Sequence, residues 1–197
     1  LLWSYPWWYN SCMLMLNSSF VNMPVMSLQI GNQLGSTSDP IIDPRKLQIL
    51  AFKVEGPRIF EDSVLHTTDI REVGPLGLIV NSADDIMTLD QDLVRLNEVI
   101  NLKFNPIGKI VIDDSGKKLG KVSEYSIETE SFIIKKLHVS QSIMKNISNS
   151  ALIIDRSQIK EITDKSIIVR SASVKESTGL SQILNPFRKT ASSLGSE

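Results

Sequence analysis

Short apolar runs separated by turn residues fill most of the chain, and this pattern predicts β-strands. The run KIVID at 109–113 predicts a strand, and DSGK at 114–117 predicts a tight turn whose glycine supplies a positive φ. Extended chain restarts at 119–124, and the isoleucine-rich runs at 131–139 and 167–170 predict further strands. The hydrophobic pattern therefore indicates a mainly β protein.

The chain contains an internal repeat. Residues 34–39 align with 119–124 at an offset of 85, which holds without a gap for about twenty residues and pairs Gly31 with Gly116. The register then resumes at an offset of 89, which aligns 70–73 with 159–162 and 78–83 with 167–172. Matches in apolar, glycine and acidic positions, in one order, indicate two copies of one small fold.

The repeat and the strand pattern together predict two small β-barrels in tandem, at 15–87 and 103–176. Barrel closure suits short strands because it removes exposed edges. The strand at 109–113 should have its counterpart at 24–28. A short α-helix at 88–102 is predicted to join the barrels.

A helical stripe supports that linker. Its apolar positions are Leu89, Leu93, Leu96 and Ile100, with Val99 beside them. Thr88 and Gln91 are spaced as a capping box, and Pro106 stands beyond the helix. Two interpretations fit: a linker that packs its stripe on one or both barrels, and a helix that binds a partner.

The first residues are aromatic and carry no charge before Asp39. Residues 1–14 are interpreted as an upstream extension of the reading frame or a disordered leader, with the start at Met13 or Met15. A peripheral apolar anchor is the second interpretation. A signal peptide or membrane span is the third, although the basic n-region is missing and polar residues interrupt the apolar run.

The pattern at 109–122 resembles the PRC-barrel family, which is named from the photosynthetic reaction-centre H subunit and includes the C-terminal part of a ribosome maturation factor. The segment 157–162 supports the resemblance. The first copy carries a weaker version at 24–34, which continues through 39–43 and lacks the Asp-Asp-Ser-Gly turn. The resemblance implies a non-catalytic module that binds other macromolecules, typically protein surfaces.

Composition excludes several classes of protein. The 197 residues are 42% apolar and 22% charged, as in a chain that buries a core. With Cys12 as the single cysteine, neither a disulfide scaffold nor a CxxC zinc site is possible. A net charge of −1 argues against a protein that coats DNA or an anionic membrane.

The sequence offers little chemistry. It contains no GxxxxGK[ST], GxGxxG, HExxH or GxSxG motif. His66 lies near three acids, which is compatible with a metal cluster but more typical of a surface loop, and His138 is expected to face outward from a strand. Asp113 and Asp114 could be read as paired carboxylates for acid–base catalysis. The hairpin turn is a sufficient structural explanation, because an aspartate side chain there accepts hydrogen bonds from nearby backbone N–H groups. We expect no catalytic residue, metal, cofactor or small-molecule substrate.

Charge divides the copies. Residues 13–102 contain 6 Lys and Arg against 12 Asp and Glu, a net of −6, whereas 103–176 contain 13 against 9, a net of +4. This asymmetry allows the copies to dock on each other or to face different partners. The densest basic group is Lys117, Lys118, Lys121, Lys135 and Lys136. It fits contacts to RNA phosphates, or a solvated basic face.

The segment 177–197 is predicted to be a flexible tail with a short amphipathic stretch. Its apolar face is Leu180, Ile183, Leu184 and Phe187, at helical spacing. This face could lie in a partner groove, touch a membrane surface peripherally, or fold back on a barrel.

From these features we expect a cytoplasmic, non-catalytic adaptor or scaffold that binds another protein, with Leu180, Ile183, Leu184, Phe187, Lys117, Lys118 and Lys121 as candidate contact residues. The alternative is a ribosome-assembly or RNA-associated factor that binds a ribosomal protein or rRNA through the basic second barrel. An enzyme with an unrecognised site is a third possibility.

Overall fold

The computed structural model describes residues 13–89, 94–140 and 152–170, and this part of the chain is mainly β, as predicted. β1 (Leu14–Leu16) precedes the first sheet in sequence but belongs to the second. The first sheet contains β2 (Pro24–Ser27), β3 (Gln33–Asp43), β4 (Gln48–Glu55), β5 (Ser63–His66), β6 (Glu72–Gly74), β7 (Gly77–Val80) and β8 (Ile86–Thr88). After helix α1 (Val94–Asn101), the second sheet contains β9 (Ile110–Asp113), β10 (Lys118–Glu128), β11 (Ile134–Ser140), β12 (Leu152–Asp155), β13 (Ile159–Ile162) and β14 (Ser166–Val169).

The two sheets have the same strand order. The first runs β6-β7-β2-β3-β4-β5-β8, and the second runs β13-β14-β9-β10-β11-β12. In both, the first and last strands of the repeat pair in parallel and the hairpin strands pair antiparallel. We call β2–β7 (24–80) copy 1 and β9–β14 (110–169) copy 2. The repeat seen in the sequence is therefore a repeat of topology.

The register refines the predicted alignment by one residue at the first strand. In the parallel pairs, Val25 stands opposite Leu78, and Val111 stands opposite Ile167. Val25 and Val111 are therefore equivalent, at an offset of 86, and the predicted match of 109–113 with 24–28 is wrong by one residue. The reason is that the β2–β3 turn holds one more residue than the β9–β10 turn. A slip of one would exchange the buried and exposed faces of the strand.

The prediction of closed barrels is not confirmed. Along the described residues each sheet is an open path, in which β12 and β13 end one sheet and β6 and β8 end the other. Each long strand is bent by irregularities in its pairing, between Thr37 and Pro40 in β3 and between Val122 and Glu124 in β10. The sheets are thus curved without a pairing that joins their ends.

The copies meet through two reciprocal backbone hydrogen bonds. Ile49 donates its N–H to the carbonyl of Phe132 at 2.9 Å, and Ile134 donates its N–H to the carbonyl of Leu47 at 2.8 Å. At the offset of 85, Ile49 is equivalent to Ile134 and Leu47 to Phe132, so exchanging the copies maps one bond onto the other. Leu47 and Phe132 both adopt a positive φ, of 47° and 54°. The junction therefore has local two-fold symmetry.

The larger of two apolar clusters lies beneath both sheets and contains residues of both copies. At its centre the rings of Phe20 and Phe52 stack at 5.5 Å, and Phe132 meets both edge-on at 6.3 and 5.9 Å. Phe52 belongs to copy 1, and Phe132 lies in the β10–β11 turn of copy 2. Burial of these rings joins the copies into one folded unit.

The segments that precede the two copies pack on the opposite copy. β1 pairs antiparallel with β10 of copy 2, and the buried hydroxyl of Tyr125 donates to Asn17 Oδ1 at 2.6 Å. In return, α1, which leads into copy 2, packs on β3 of copy 1. The first residues of the predicted first unit, 15–87, therefore pair with the second sheet.

Proline explains why the two segments differ in structure. In copy 2, Thr129 donates its N–H to the carbonyl of Met13 and so extends the pairing with β1. The equivalent residue of copy 1 is Pro44, which has no N–H, and Pro40 in β3 lacks one too. An edge with missing donors pairs poorly with another strand, and it is covered here by α1.

The helix packs as a linker but begins later than predicted. Leu96 is buried against Ile41, Ala51 and Val64 on the outer face of the first sheet. The predicted cap residue Thr88 instead ends β8, where tertiary pairing with β5 overrides the local capping pattern. Gln91 and Leu93 lie outside the described residues.

Residues 1–12 and the tail from 171 onward, with Leu180, Ile183, Leu184 and Phe187, also lie outside the described residues. The predictions about the leader and the amphipathic tail therefore remain predictions. In the part of the chain that the structure describes, no helix is long and apolar enough to cross a membrane.

Candidate functional site

The basic residues predicted as a contact surface fall into two places. Lys117, Lys118 and Lys121 are exposed at the β9–β10 turn and the start of β10. Lys136 pairs with Ser126, which lies five residues beyond Lys121 along β10. Lys136 is therefore about 16 Å from Lys121. Lys135 forms an ion pair with Glu128 at 3.0 Å. The predicted group of five lysines is therefore split, and Lys117, Lys118 and Lys121 form one exposed surface.

Asp113 builds the turn that presents these lysines. One of its carboxylate oxygens, Oδ1, accepts hydrogen bonds from the hydroxyl and N–H of Ser115, at 2.6 and 3.0 Å, and from the N–H of Lys117 at 2.8 Å. These bonds, the Ser115 hydroxyl first, lower the pKa of Asp113 below its usual value. The predicted structural role of Asp113 is confirmed. We call residues 114–118 the basic hairpin.

The equivalent turn of copy 1 exposes apolar side chains instead. Leu28 is 57% exposed and Ile30 is 56% exposed, and the backbone turns through Gly31 at φ 64°. Leu28 is held by its N–H, which donates to the carbonyl of Val80. We call residues 28–32 the apolar hairpin. The same backbone feature thus offers different chemistry in the two copies.

A groove of about 470 Å³ lies where the copies meet. Copy 1 contributes its β3–β4 turn, and copy 2 contributes β13 and the turn before it. The lining residues are Pro44, Arg45, Leu47, Arg156, Ile159, Lys160, Glu161 and Ile162. Arg156 bridges the copies, because its Nη2 donates to the carbonyl of Lys46 at 2.7 Å. We call this cavity the inter-copy groove.

One wall of the inter-copy groove is the edge of a sheet. Among the described residues, β13 ends the strand order of the second sheet and pairs with β14 alone. All four of its residues, Ile159–Ile162, line the groove. Since successive side chains of a strand point to opposite faces, a cavity that touches four in a row lies beside the strand. The groove therefore runs along an open edge.

A second cavity, of about 340 Å³, lies between α1 and β3. Ile41, Val99, Ile100 and Phe104 give it apolar walls, and Lys53 stands at its border. The equivalent region of copy 2 is occupied by β1, which pairs with β10 there. The cavity thus lies between α1 and β3 in copy 1, at the place where β1 pairs directly with β10 in copy 2.

The two histidines have local partners. His66 Nδ1 lies 2.7 Å from the hydroxyl of Thr68 and caps the turn Thr67–Asp69, as Asp155 caps the equivalent turn in copy 2. His138 Nε2 lies 2.7 Å from Ser126 Oγ, and burial lowers the pKa of His138. His138 and the buried Leu137 point to opposite faces of β11, as predicted. The His138 ring is nevertheless half-buried, and it is hydrogen-bonded to Ser126.

The His138–Ser126 pair lies apart from the cavities described above. Ser126, the partner of His138, is itself buried within β10 and borders none of the cavities described above. In the described ranges, no three His, Cys, Asp or Glu side chains converge on a point that could hold a metal ion.

Sequence reasoning missed the inter-copy groove and the apolar hairpin. The groove joins residues more than a hundred positions apart, such as Arg45 and Arg156, and no local pattern signals it. The apolar hairpin did have a signal, because Leu28 and Ile30 flank a glycine turn at a position where copy 2 carries polar residues. No protein-family model matches the chain, and no curated protein matches it either.

Proposed function

We propose that this protein is a non-catalytic adaptor or scaffold, built from two PRC-like modules, that binds other proteins in the cytoplasm. It acts by contact, and no bond is made or broken. It uses no cofactor and takes no small-molecule substrate.

One observation carries the proposal: the same hairpin is apolar in copy 1 and basic in copy 2. Leu28 and Ile30 stand exposed on one, and Lys117 and Lys118 on the other. Exposed apolar side chains on a turn favour contact with an apolar partner surface, whereas lysines favour an acidic one. Different surfaces on one duplicated framework suit an adaptor with two partners.

The shared core gives such an adaptor its rigidity. Phe52 of copy 1 and Phe132 of copy 2 pack in one aromatic cluster, and two backbone hydrogen bonds cross the junction. Each hairpin stands at the far end of its long strand from this junction. Two partners bound at the hairpins would therefore be held apart and in a fixed relation.

The test expresses two double variants in the native cell. Each variant is affinity-purified and chemically cross-linked, and the partner proteins that it retains are compared. Leu28→Ser with Ile30→Ser should lose one set of partners, and Lys117→Glu with Lys118→Glu should lose another. All four positions are exposed or at turns, so the melting temperature should change little. Retention of every partner by both variants would contradict the proposal.

RNA binding is the second candidate, and the exposure of Lys117, Lys118 and Lys121 on one surface favours it. Binding to single-stranded RNA should weaken steeply with salt, and loss of two phosphate contacts should reduce the logarithmic salt slope by about 1.4. The Lys117→Glu, Lys118→Glu variant should show this change, and the protein should leave ribosomal particles at high salt. Failure to bind RNA at low salt excludes this function.

A further inference from the structure

We propose that the inter-copy groove binds an extended, acidic peptide segment of a partner protein, which adds to β13 as a further strand. This inference rests on the proposed protein-binding function and names the chemistry of one partner. The groove is separate from the apolar hairpin and meets the basic hairpin at the ion pair between Asp114 and Lys160. The two proposals are tested with different variants and different ligands, so they can fail separately.

The open edge of β13 supplies the backbone half of this recognition. Ile159–Ile162 pair with β14 on one side and line the groove on the other. A peptide lying in the groove can exchange main-chain hydrogen bonds with that edge, as in strand-addition complexes. The edge is four residues long, about 13 Å, and so matches a segment of four to five residues.

Charge selects the peptide. Arg45, Arg156 and Lys160 line the groove, as does the acid Glu161. Lys160 is already ion-paired with Asp114 at 3.0 Å, so Arg45 and Arg156 are the cations that would meet an acidic ligand. The half-buried Arg156 is fixed by its bond to the carbonyl of Lys46, so its guanidinium is held in place before any ligand arrives. Carboxylates of a bound segment would find oriented donors there.

Apolar residues form the rest of the wall. Leu47 is buried at the junction, and Ile159 and Ile162 are half-buried. A bound strand presents its side chains alternately to two sides, so one set can meet this apolar wall while the other meets the arginines. The expected ligand therefore alternates acidic and apolar residues.

The duplicated fold contains a natural comparison. At the position of copy 2 that is equivalent to Arg45 the sequence has Glu130, and at the position of copy 1 that is equivalent to Arg156 it has Thr67. The junction is two-fold symmetric in its backbone, yet the positive charge lies on one side only. The two-fold symmetry of the backbone therefore does not by itself impose arginines at these positions.

The experiment uses the full chain and a fluorescein-labelled peptide of sequence EVEIEV, with KVKIKV as the charge control. Fluorescence anisotropy should show saturable binding of the acidic peptide, and hydrogen exchange should slow at 159–162. Arg45→Glu should weaken binding about tenfold or more, because it replaces an attraction by a repulsion. Arg58→Glu, an equal charge change at an exposed position outside the groove, should leave it unchanged.

A peptide methylated on alternate backbone nitrogens tests strand addition itself, because it keeps the side chains and loses the donors. It should bind much more weakly than EVEIEV. The inference is overturned by equal binding of acidic and basic peptides, by equal loss in Arg58→Glu, or by unchanged exchange at 159–162. It is also overturned if a single-stranded RNA, a second copy of the chain or its own tail segment displaces the peptide and occupies the groove instead. Partner loss by the hairpin variants, with no peptide binding, would retain the proposed function and remove this inference alone.

Discussion

Truncation of Phe52 tests whether the two copies fold as one unit. The Phe52 side chain is fully buried, stacks on Phe20 at 5.5 Å and meets the edge of Phe132 at 5.9 Å. Removing a buried phenylalanine ring costs about 3–5 kcal/mol, since transfer and cavity terms add. For a chain of this size each kcal/mol shifts the melting temperature by about 2–4 °C, so Phe52→Ala should melt about 6–20 °C lower.

The diagnostic readout is where the stability is lost. Hydrogen exchange followed by mass spectrometry should show faster exchange in β9–β11 of copy 2 as well as in β3–β5 of copy 1, because the core is shared. Phe60→Ala is the matched control, because Phe60 is 79% exposed and should leave the melting temperature unchanged. If copy 2 keeps its full protection in Phe52→Ala, the copies are independent and the shared-core argument is refuted.

Three further predictions concern single positions. Asn17→Ala leaves the buried Tyr125 hydroxyl without its 2.6 Å acceptor and should cost about 1–3 kcal/mol in urea unfolding; an unchanged midpoint would contradict this. Gly120→Ala should cost roughly 2 kcal/mol or more, because its Cβ would lie 2.3 Å from a carbonyl oxygen of β11, whereas Gly31→Ala, with open space around it, should cost about 1 kcal/mol from its positive φ alone. Asp113 has a lowered pKa, so its ionised form stabilises the fold above the usual value of 3.8 and this contribution is lost as the pH falls through its folded pKa; Asp113→Asn should therefore be less stable than the native chain at pH 7 and nearly equal to it in acid.

The strands and their repetition could be predicted because both depend on local pattern. The turn at Asp113 was predictable too, since aspartate before a glycine turn bonds nearby N–H groups. The offset of 85 even pairs Leu47 with Phe132, which share a positive φ that neither residue type favours. Equivalent positions in a duplicated sequence thus carried conformational information that single residues did not.

The features that could not be predicted depend on contacts between distant segments. Thr88 satisfies a capping pattern, yet its backbone is taken by pairing with Ser63. β1 is a three-residue apolar segment whose partner, Ser126 to Glu128, lies more than a hundred residues away. The groove and its arginines arise only after both copies have folded against each other.

The exchange of leading segments has a practical consequence for dissecting this protein. A cut between the repeats at residue 102 would leave the C-terminal fragment without β1, and would leave Tyr125 without Asn17. The N-terminal fragment would retain α1, together with a β1 that has no strand to pair with. A cut there therefore does not yield two fragments that each keep all of their native contacts. Each fragment should recover its native fold when the other fragment is added. A protein split at this point would therefore report, by complementation, whether its two fragments are bound to each other.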